Sequence, residues 1–255
     1  MPVPEGNLVG GVHSVRAALG HGPGAVEQIW VDRARTRDGR IRRLLEAAGE
    51  AGVRVLRVER RELDALLPSV NHQGVAARVE IPAAGDERRL DALLDGLEGP
   101  AFLLVLDGVQ DPHNLGACLR SADAAGVHAV VAPRERAAGL TPTACKVASG
   151  AAERIPFVQV TNLARTLRGL SEDRGLRIVG AAGEAATLLY DADLRGGLAL
   201  VMGGEEKGLR RLTRERCDQL VRLPMQGTVE SLNVSVAAGI CLFEALRQRS
   251  QAKRG

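Results

Sequence analysis

The sequence predicts an α/β protein in two parts. A small α/β unit comes first, and a larger domain with a mostly parallel sheet and helices on both faces follows. Three observations predict this. From residue 101 onward, apolar strand-like runs alternate with helical patterns, as expected of βα units feeding a parallel sheet. Before residue 81 lies a set of strands and helices complete in itself. Between them, IPAAGDERRLDALLDGLEGP (81–100) opens on Ile-Pro, closes on Gly-Pro and carries two charged clusters, so it reads as a linker holding one short helix. The expected divisions are therefore 1–80, 81–100 and 101–255.

In the first part, LVGGVHSVRAALG (8–20) reads as a short strand, a turn and a helix ending at Gly20. EQIWVD (27–32) is strand-like. RARTRDGRIRR (33–43) places six Arg against one Asp, and the helix begun by its end stops at Gly52. VRVLRVE (53–59) alternates as a strand does, RRELDALLP is a short helix, and GVAARVE (74–80) is a last strand. In the second part the strands are AFLLVLD, VHAVVAP, FVQV, LRIVGAA, LALVMGG and QLVRLP. The helices are NLGACLRSADAAG, TACKVASGAAERIP, NLARTLRGLSEDRG, LTRERCD and the C-terminal SLNVSVAAGICLFEALRQRS.

Composition excludes several classes. With 34 basic and 31 acidic residues, the net charge of +3 permits a nucleic-acid partner without requiring one. Most of the basic residues are Arg, which suits phosphate, although a GC-rich coding sequence produces the same bias. Aromatics make up 2%, too few to grip single strands by base stacking, so any RNA would be held by charge and shape. The four cysteines, Cys118, Cys145, Cys217 and Cys241, form no C-x-x-C pair and are expected as free thiols in a reducing compartment. The five histidines show no metal-ligand spacing. No apolar run approaches a membrane span and no leader pattern opens the chain, so a cytoplasmic protein without metal or membrane is expected.

Three stretches share one design, an apolar strand running into a small-polar or Gly-rich turn: LVLDGVQDPHNLGACLR, LALVMGGEEKGLRR (198–211) and VRLPMQGTVESLNVSVAAG (221–239). Ligands of open parallel sheets bind at such strand ends. None is a dinucleotide or P-loop fingerprint. The adjacent carboxylates of GGEEKGL would repel phosphate, so the ligand there should be neutral or partly cationic.

The first stretch holds Asn114, Gly116 and Arg120 in N-x-G-x-x-x-R spacing. Taken singly, Asn114 reads as a helix N-cap, Gly116 as relief of crowding, and Arg120 as an ion-pair partner of Asp123 three residues on. Ala117 and Ala124 leave room for something bulky beside the guanidinium. Glu205 and Glu206 read as solvated turn residues and Ser231 as an N-cap. Asn233 is a poor interior residue for the first turn of an apolar helix.

Together these stretches resemble the three motifs of the SPOUT superfamily in its SpoU/TrmH branch: N-x-G-x-x-x-R, G-x-E-x-x-G-L and S-L-N-V-S. LDGVQDPHNLGACLRSADAAGVHAV, VTNLART, NHQGVAARV and the C-terminal helix are similar to the bacterial 23S rRNA (guanosine-2'-O-)-methyltransferase subfamily. The resemblance implies S-adenosylmethionine-dependent 2'-O-methylation of a guanosine in the peptidyl-transferase region. It also implies a deep trefoil knot in the C-terminal domain, an L30e-like N-terminal RNA-binding domain, and a homodimer whose sites are completed across the interface. By position, Gly203, Leu223 and Leu232 match the donor-binding residues, and Asn114, Arg120, Glu205, Ser231 and Asn233 match the catalytic set. The partner would be 23S rRNA or its assembly precursor. Activity on tRNA or another rRNA site, or a non-catalytic assembly role, stands as the alternative. The second motif departs from the family's usual G-x-E-G-x-G, because Glu206 stands where a small residue is common.

Methyl transfer from a sulfonium needs no metal, but a ribose hydroxyl is a weak acid. The resemblance assigns Arg120 to that hydroxyl. Since guanidinium groups are ordinarily protonated, it acts either as an unusually acidic base or as a cation that stabilises the developing alkoxide. Glu205, if buried, would favour the cationic donor.

Overall fold

A computed structural model describes residues 8–20, 25–68, 70–205 and 207–252. Glu206, the departure in the second motif, lies outside them, as does His21. The chain forms two compact units: Met1–Pro82 with Leu140–Gly150, and Ala83–Gly139 with Ala151–Gly255.

The first unit contains β1 (Leu8–Gly10), α1 (Val12–Leu19), β2 (Val26–Asp32), α2 (Gly39–Glu50), β3 (Arg54–Val58), α3 (Arg60–Leu66) and β4 (Val75–Val79). Its four-stranded sheet runs β1-β4-β2-β3, with β2 and β3 parallel and the other pairs antiparallel. Strand alternation divides the core. Ile29 and Val31 face α1 and α2, packing with Val15, Ile41 and Leu44, while Trp30 faces α3 and packs with Leu63. Local capping sets the boundaries: Asp38 accepts from Arg40 N at the start of α2, and Glu59 and Glu62 form a capping box on α3.

The second unit opens with α4 (Glu87–Asp95), followed by β5 (Phe102–Asp107), α5 (Pro112–Ala124) and β6 (Ala129–Pro133). Next in the chain come α6 (Pro142–Ala148), which belongs to the first unit, and α7 (Ala151–Arg154). TACKVASGAAERIP is thus two helices, parted where Ser149 and Gly150 take φ of 52° and 90°. Then follow β7 (Phe157–Val160), α8 (Leu163–Glu172), β8 (Arg177–Ala181), β9 (Thr187–Leu188), β10 (Leu198–Gly203), α9 (Arg211–Arg214), β11 (Gln219–Arg222) and α10 (Val234–Ala252). The short strand β9 has no clear sequence signal.

Seven strands form one sheet in the order β7-β6-β5-β10-β8-β11-β9, and every pair in it is parallel. All six residues of β5 are buried, as both-face coverage requires. On one face Val105, Val131, Ile178 and Val201 pack with Leu163 and Leu167 of α8 and Leu90 of α4. The segment read as a linker is laid against this sheet: Gly85 N donates to Phe157 O at 2.8 Å and Gln159 N to Gly85 O at 2.9 Å. On the other face α5 packs on α10.

The strand order reverses between β5 and β10, so the carboxyl ends of two strands distant in sequence lie side by side, with Gly203 in register with Asp107. Cys118, Cys145 and Cys241 are buried free thiols and Cys217 is partly buried. Burial pushes the Cys118 and Cys217 thiols up to about 12, with help from Glu205 and from Asp218 and Asp107 respectively; burial alone does so at Cys241. No helix among the described residues is long and apolar enough to cross a membrane.

Candidate active site

The site begins where β10 ends. A Cβ added to Gly203 would fall 2.2 Å from Gly208 C and 2.4 Å from Leu209 N, and one added to Gly204 would fall 2.5 Å from Gly108 O. Only glycine permits three backbone segments to cross this closely. Gly204 N donates to Asp107 O and Gly208 N to Gly204 O, both at 3.0 Å, which locks the crossing.

From this crossing Glu205 projects toward α5. Asn114 Nδ2 donates to Glu205 Oε1 at 2.7 Å, and Asn233 Nδ2 donates to Asn114 Oδ1 at 2.9 Å. One residue from each motif thus enters a single directional chain, Asn233 to Asn114 to Glu205. Asn233 Oδ1 accepts in turn from Ser235 N at 2.9 Å and Ser235 Oγ at 2.6 Å. Both amides are thereby oriented, because each oxygen is committed to a donor.

This geometry corrects several single-residue readings. Asn114 is not the N-cap of α5. Asp111 is, accepting from His113 N, and Pro112 occupies the first helical position. Asn114 is therefore a buried helical residue whose amide is free to reach across 91 and 119 residues of sequence. Asn233 lies just before α10 and caps it, leaving Ser231 in the preceding loop. Asp123 receives Arg154 of α7, with Nη2 to Oδ2 at 2.6 Å. Glu205 is exposed rather than buried, since it stands on the turn beyond the strand end.

A cleft of about 540 Å³ opens at the carboxyl ends of β8, β10 and β11. Gly203, Leu223 and Leu232 line it, with Glu205, Ser231 and Asn233. Ala181–Glu184, at the end of β8, line it too. Sequence reasoning passed over them, although the small residues of GAAGE after a strand were a usable signal. Asn114 lines an adjoining hollow of about 410 Å³ that shares Gly204, Glu205, Lys207 and Gly208 with the cleft. Arg120 is exposed on α5 and lines neither. No group of three or more His, Cys, Asp or Glu among the described residues could hold a metal.

In the first unit, most of the six-Arg segment is tied into the fold. Arg33 bonds Arg57 O, Arg35 bonds Gln73 O at 2.9 Å and Asp38 at 3.0 Å, Arg42 lies 3.9 Å from Glu46, and Arg43 bonds Gly39 O. Arg40 lies 3.7 Å from Asp38. Arg35 also packs over Gly74, whose φ of +83° and lack of a side chain make room for it. The exposed ion pairs among these contacts are weak.

A parallel α/β unit with a cleft at its switch point and an amide-carboxylate chain at the rim, joined to a small mixed-sheet unit, defines a class of two-part enzymes. Residues 101–243 match the SpoU rRNA methylase family, and residues 8–84 match the RNA 2'-O ribose methyltransferase substrate-binding domain. The chain belongs to the SpoU methylase family. It is 59% identical to the 23S rRNA (guanosine-2'-O-)-methyltransferase RlmB of Pseudomonas syringae pv. tomato, over 96% of each chain. It is 55% identical to that of Ralstonia nicotianae, over 96% of this chain and 97% of the relative. Among solved structures it is similar to the SpoU methyltransferase AviRb of Streptomyces viridochromogenes in complex with AdoMet. That match has a TM-score of 0.73 at 27% identity, covering 94% of this chain and 89% of the other.

Proposed function

We propose that this protein transfers a methyl group from S-adenosylmethionine to the ribose 2'-oxygen of a guanosine in 23S rRNA, in the peptidyl-transferase region. The observation that carries the reading is the Asn233–Asn114–Glu205 chain at the mouth of the cleft. Near full-length identity to enzymes named for this reaction supports the substrate. Residues 1–80 would bind RNA and 101–255 carry out the transfer, in the cytoplasm, where rRNA is modified.

The cleft fits the donor. Met202, Leu209, Val221, Leu223 and Leu232 offer apolar surface, and Gly203 and Gly204 expose backbone that a ligand can approach closely. The close crossing at Gly108, Gly203 and Gly208 also agrees with the trefoil knot that the motifs imply. When bound, S-adenosylmethionine supplies a methyl group on a sulfonium. Glu205, which lines the cleft, would supply a negative charge to that cation, and Asn114 holds the carboxylate in place. Asn233 and Ser231 fix the ribose, and Arg120 acts on its 2'-hydroxyl. In-line positioning contributes most of the acceleration in such a transfer.

Arg120 stands outside its own chain's cleft, which supports a homodimer in which each Arg120 serves the partner's site. Along α10, Val234, Ala238, Cys241 and Leu242 are buried, while Val236 and Phe243 are 51% and 50% exposed on the other side. That apolar stripe is the proposed contact. Phe243→Asp is expected to turn a dimer into a monomer in sedimentation and to lose methyl transfer. A dimeric variant of full activity would remove this part of the reading.

The overall reading is tested by methyl transfer from labelled S-adenosylmethionine to a 23S rRNA transcript, followed by nucleoside mass spectrometry. 2'-O-methylguanosine is the expected product. Product on bulk tRNA alone would overturn the substrate.

A further inference from the structure

Arg136 and Arg210 stand on a ridge between two hollows in the second unit. One hollow is the 410 Å³ space that holds Asn114 and Glu205. The other, of about 370 Å³, is lined by Glu135, Thr161, Asn162, Arg211 and Thr213, and both arginines line the two. Thr161 and Asn162 belong to VTNLART, a motif that the donor cleft does not use.

The ridge is built from beneath. Arg210 N donates to Asp107 Oδ2 at 2.7 Å, and its Nε lies 3.5 Å from Asp107 Oδ1. That carboxylate is fully buried, and Oδ1 has no hydrogen bond of its own, so Asp107 is committed to Arg210. The Arg210 guanidinium lies against Gly108, where an added Cβ would be 3.0 Å from Nη2. Nη2 then donates to Arg136 O at 3.3 Å. Arg136 itself adopts φ of +56°, a conformation rare outside glycine, and is exposed. Its guanidinium has no carboxylate partner among the described residues, and observed strain of this kind is a pointer to function.

We propose that Arg136 and Arg210 form a phosphodiester clamp. The RNA strand beside the target nucleotide crosses the ridge from the first hollow into the second, with its phosphate on the two guanidinium groups. This inference rests on the reading of the protein as an RNA methyltransferase. Lys207 adds positive charge along the path, and Arg211 adds less because it is paired with Glu215 at 2.5 Å; against them stand Glu135, Asp111 and Glu205. Of those carboxylates Asp111 already accepts from His113 N and Glu205 from Asn114. A planar guanidinium suits a phosphate better than an ammonium does.

The test uses the full-length protein and Arg136→Gly, which removes both the guanidinium and the strained side chain. Binding to a 23S rRNA transcript is measured by fluorescence anisotropy across salt concentrations, alongside kcat, KM, donor affinity and Tm. The expected result is RNA affinity about fivefold to tenfold weaker at about 0.1 M salt, with the salt slope smaller by about 0.7, one phosphate contact on a single strand. KM for RNA should rise likewise, with kcat and donor affinity unchanged and Tm equal or higher. Arg136→Lys should recover part of the affinity. A variant that binds RNA with wild-type affinity and slope, while the wild type methylates RNA, overturns the clamp alone. A fall in kcat without a change in RNA affinity also overturns it. Wild-type protein that binds no RNA overturns the proposed function and the clamp together.

Discussion

Arg120→Ala is expected to lower kcat by about 10³-fold while the donor dissociation constant stays within about threefold of wild type. A factor of 10³ corresponds to about 4 kcal/mol of transition-state stabilisation, the size expected of one charged group acting at a developing alkoxide. The structure makes the separation of rate from donor binding sharp. Arg120 lies outside the cleft lined by Gly203, Leu223 and Leu232, so its removal leaves that lining in place, and in the proposed dimer its role is at the ribose hydroxyl rather than at the donor. It is also exposed on α5, and an exposed side-chain interaction is worth no more than about 1 kcal/mol, so stability should fall by no more than that. Isothermal titration with S-adenosylmethionine and single-turnover transfer to rRNA measure the two quantities independently. Equal losses in both would mean that Arg120 organises the donor cleft, contrary to the role proposed. Arg120→Lys is expected to retain part of the rate, because a cation remains at the site without the planar fork.

Gly203→Ala should abolish donor binding and destabilise the second unit by about 3 kcal/mol or more, at the severe end of overpacking because its added Cβ meets backbone rather than flexible side chains. The atoms in the way are Gly208 C, Leu209 N and Gly208 O, at 2.2, 2.4 and 2.6 Å. None can move without parting the turn from β10, and with it the wall that carries Glu205. Gly227→Ala is the control in the same unit: its Cβ would meet nothing within 4 Å, and stability should stay within about 0.5 kcal/mol. Denaturant unfolding and donor titration give the comparison. A Gly203→Ala protein of wild-type stability and donor affinity would show that the crossing is looser than these distances state.

Much of the architecture is written in short-range pattern. The unbroken apolar runs FLLVLD and LALVMG announced strands covered on both faces, and β5 and β10 are such strands. Asn162 and Asp86, each accepting from a backbone N–H three residues on, start α8 and α4 as their residue types suggest. The three motifs at three strand ends were legible too, because glycines and small polar residues after an apolar run mark a turn wherever the strand lies in the sheet. Periodicity and capping act over a few residues, and a linear chain displays them openly.

Other features exist only once the sheet is assembled. Asn114 looks like a cap from its neighbours, yet Asp111 caps and Asn114 links motifs 91 and 119 residues away. The order β7-β6-β5-β10-β8-β11-β9 brings Asp107 beside Gly203 and adds the end of β8 to the cleft, and no local pattern encodes that order. The Asp107–Arg210–Arg136 ridge spans 103 and 74 residues of chain by the same route. The sequence alone determined which residues are candidates for the chemistry and where most of the strands and turns fall, because those follow from side-chain type and near neighbours. Which of those residues touch was decided only by the tertiary structure, because contacts between distant segments depend on how the parallel strands are threaded into one sheet.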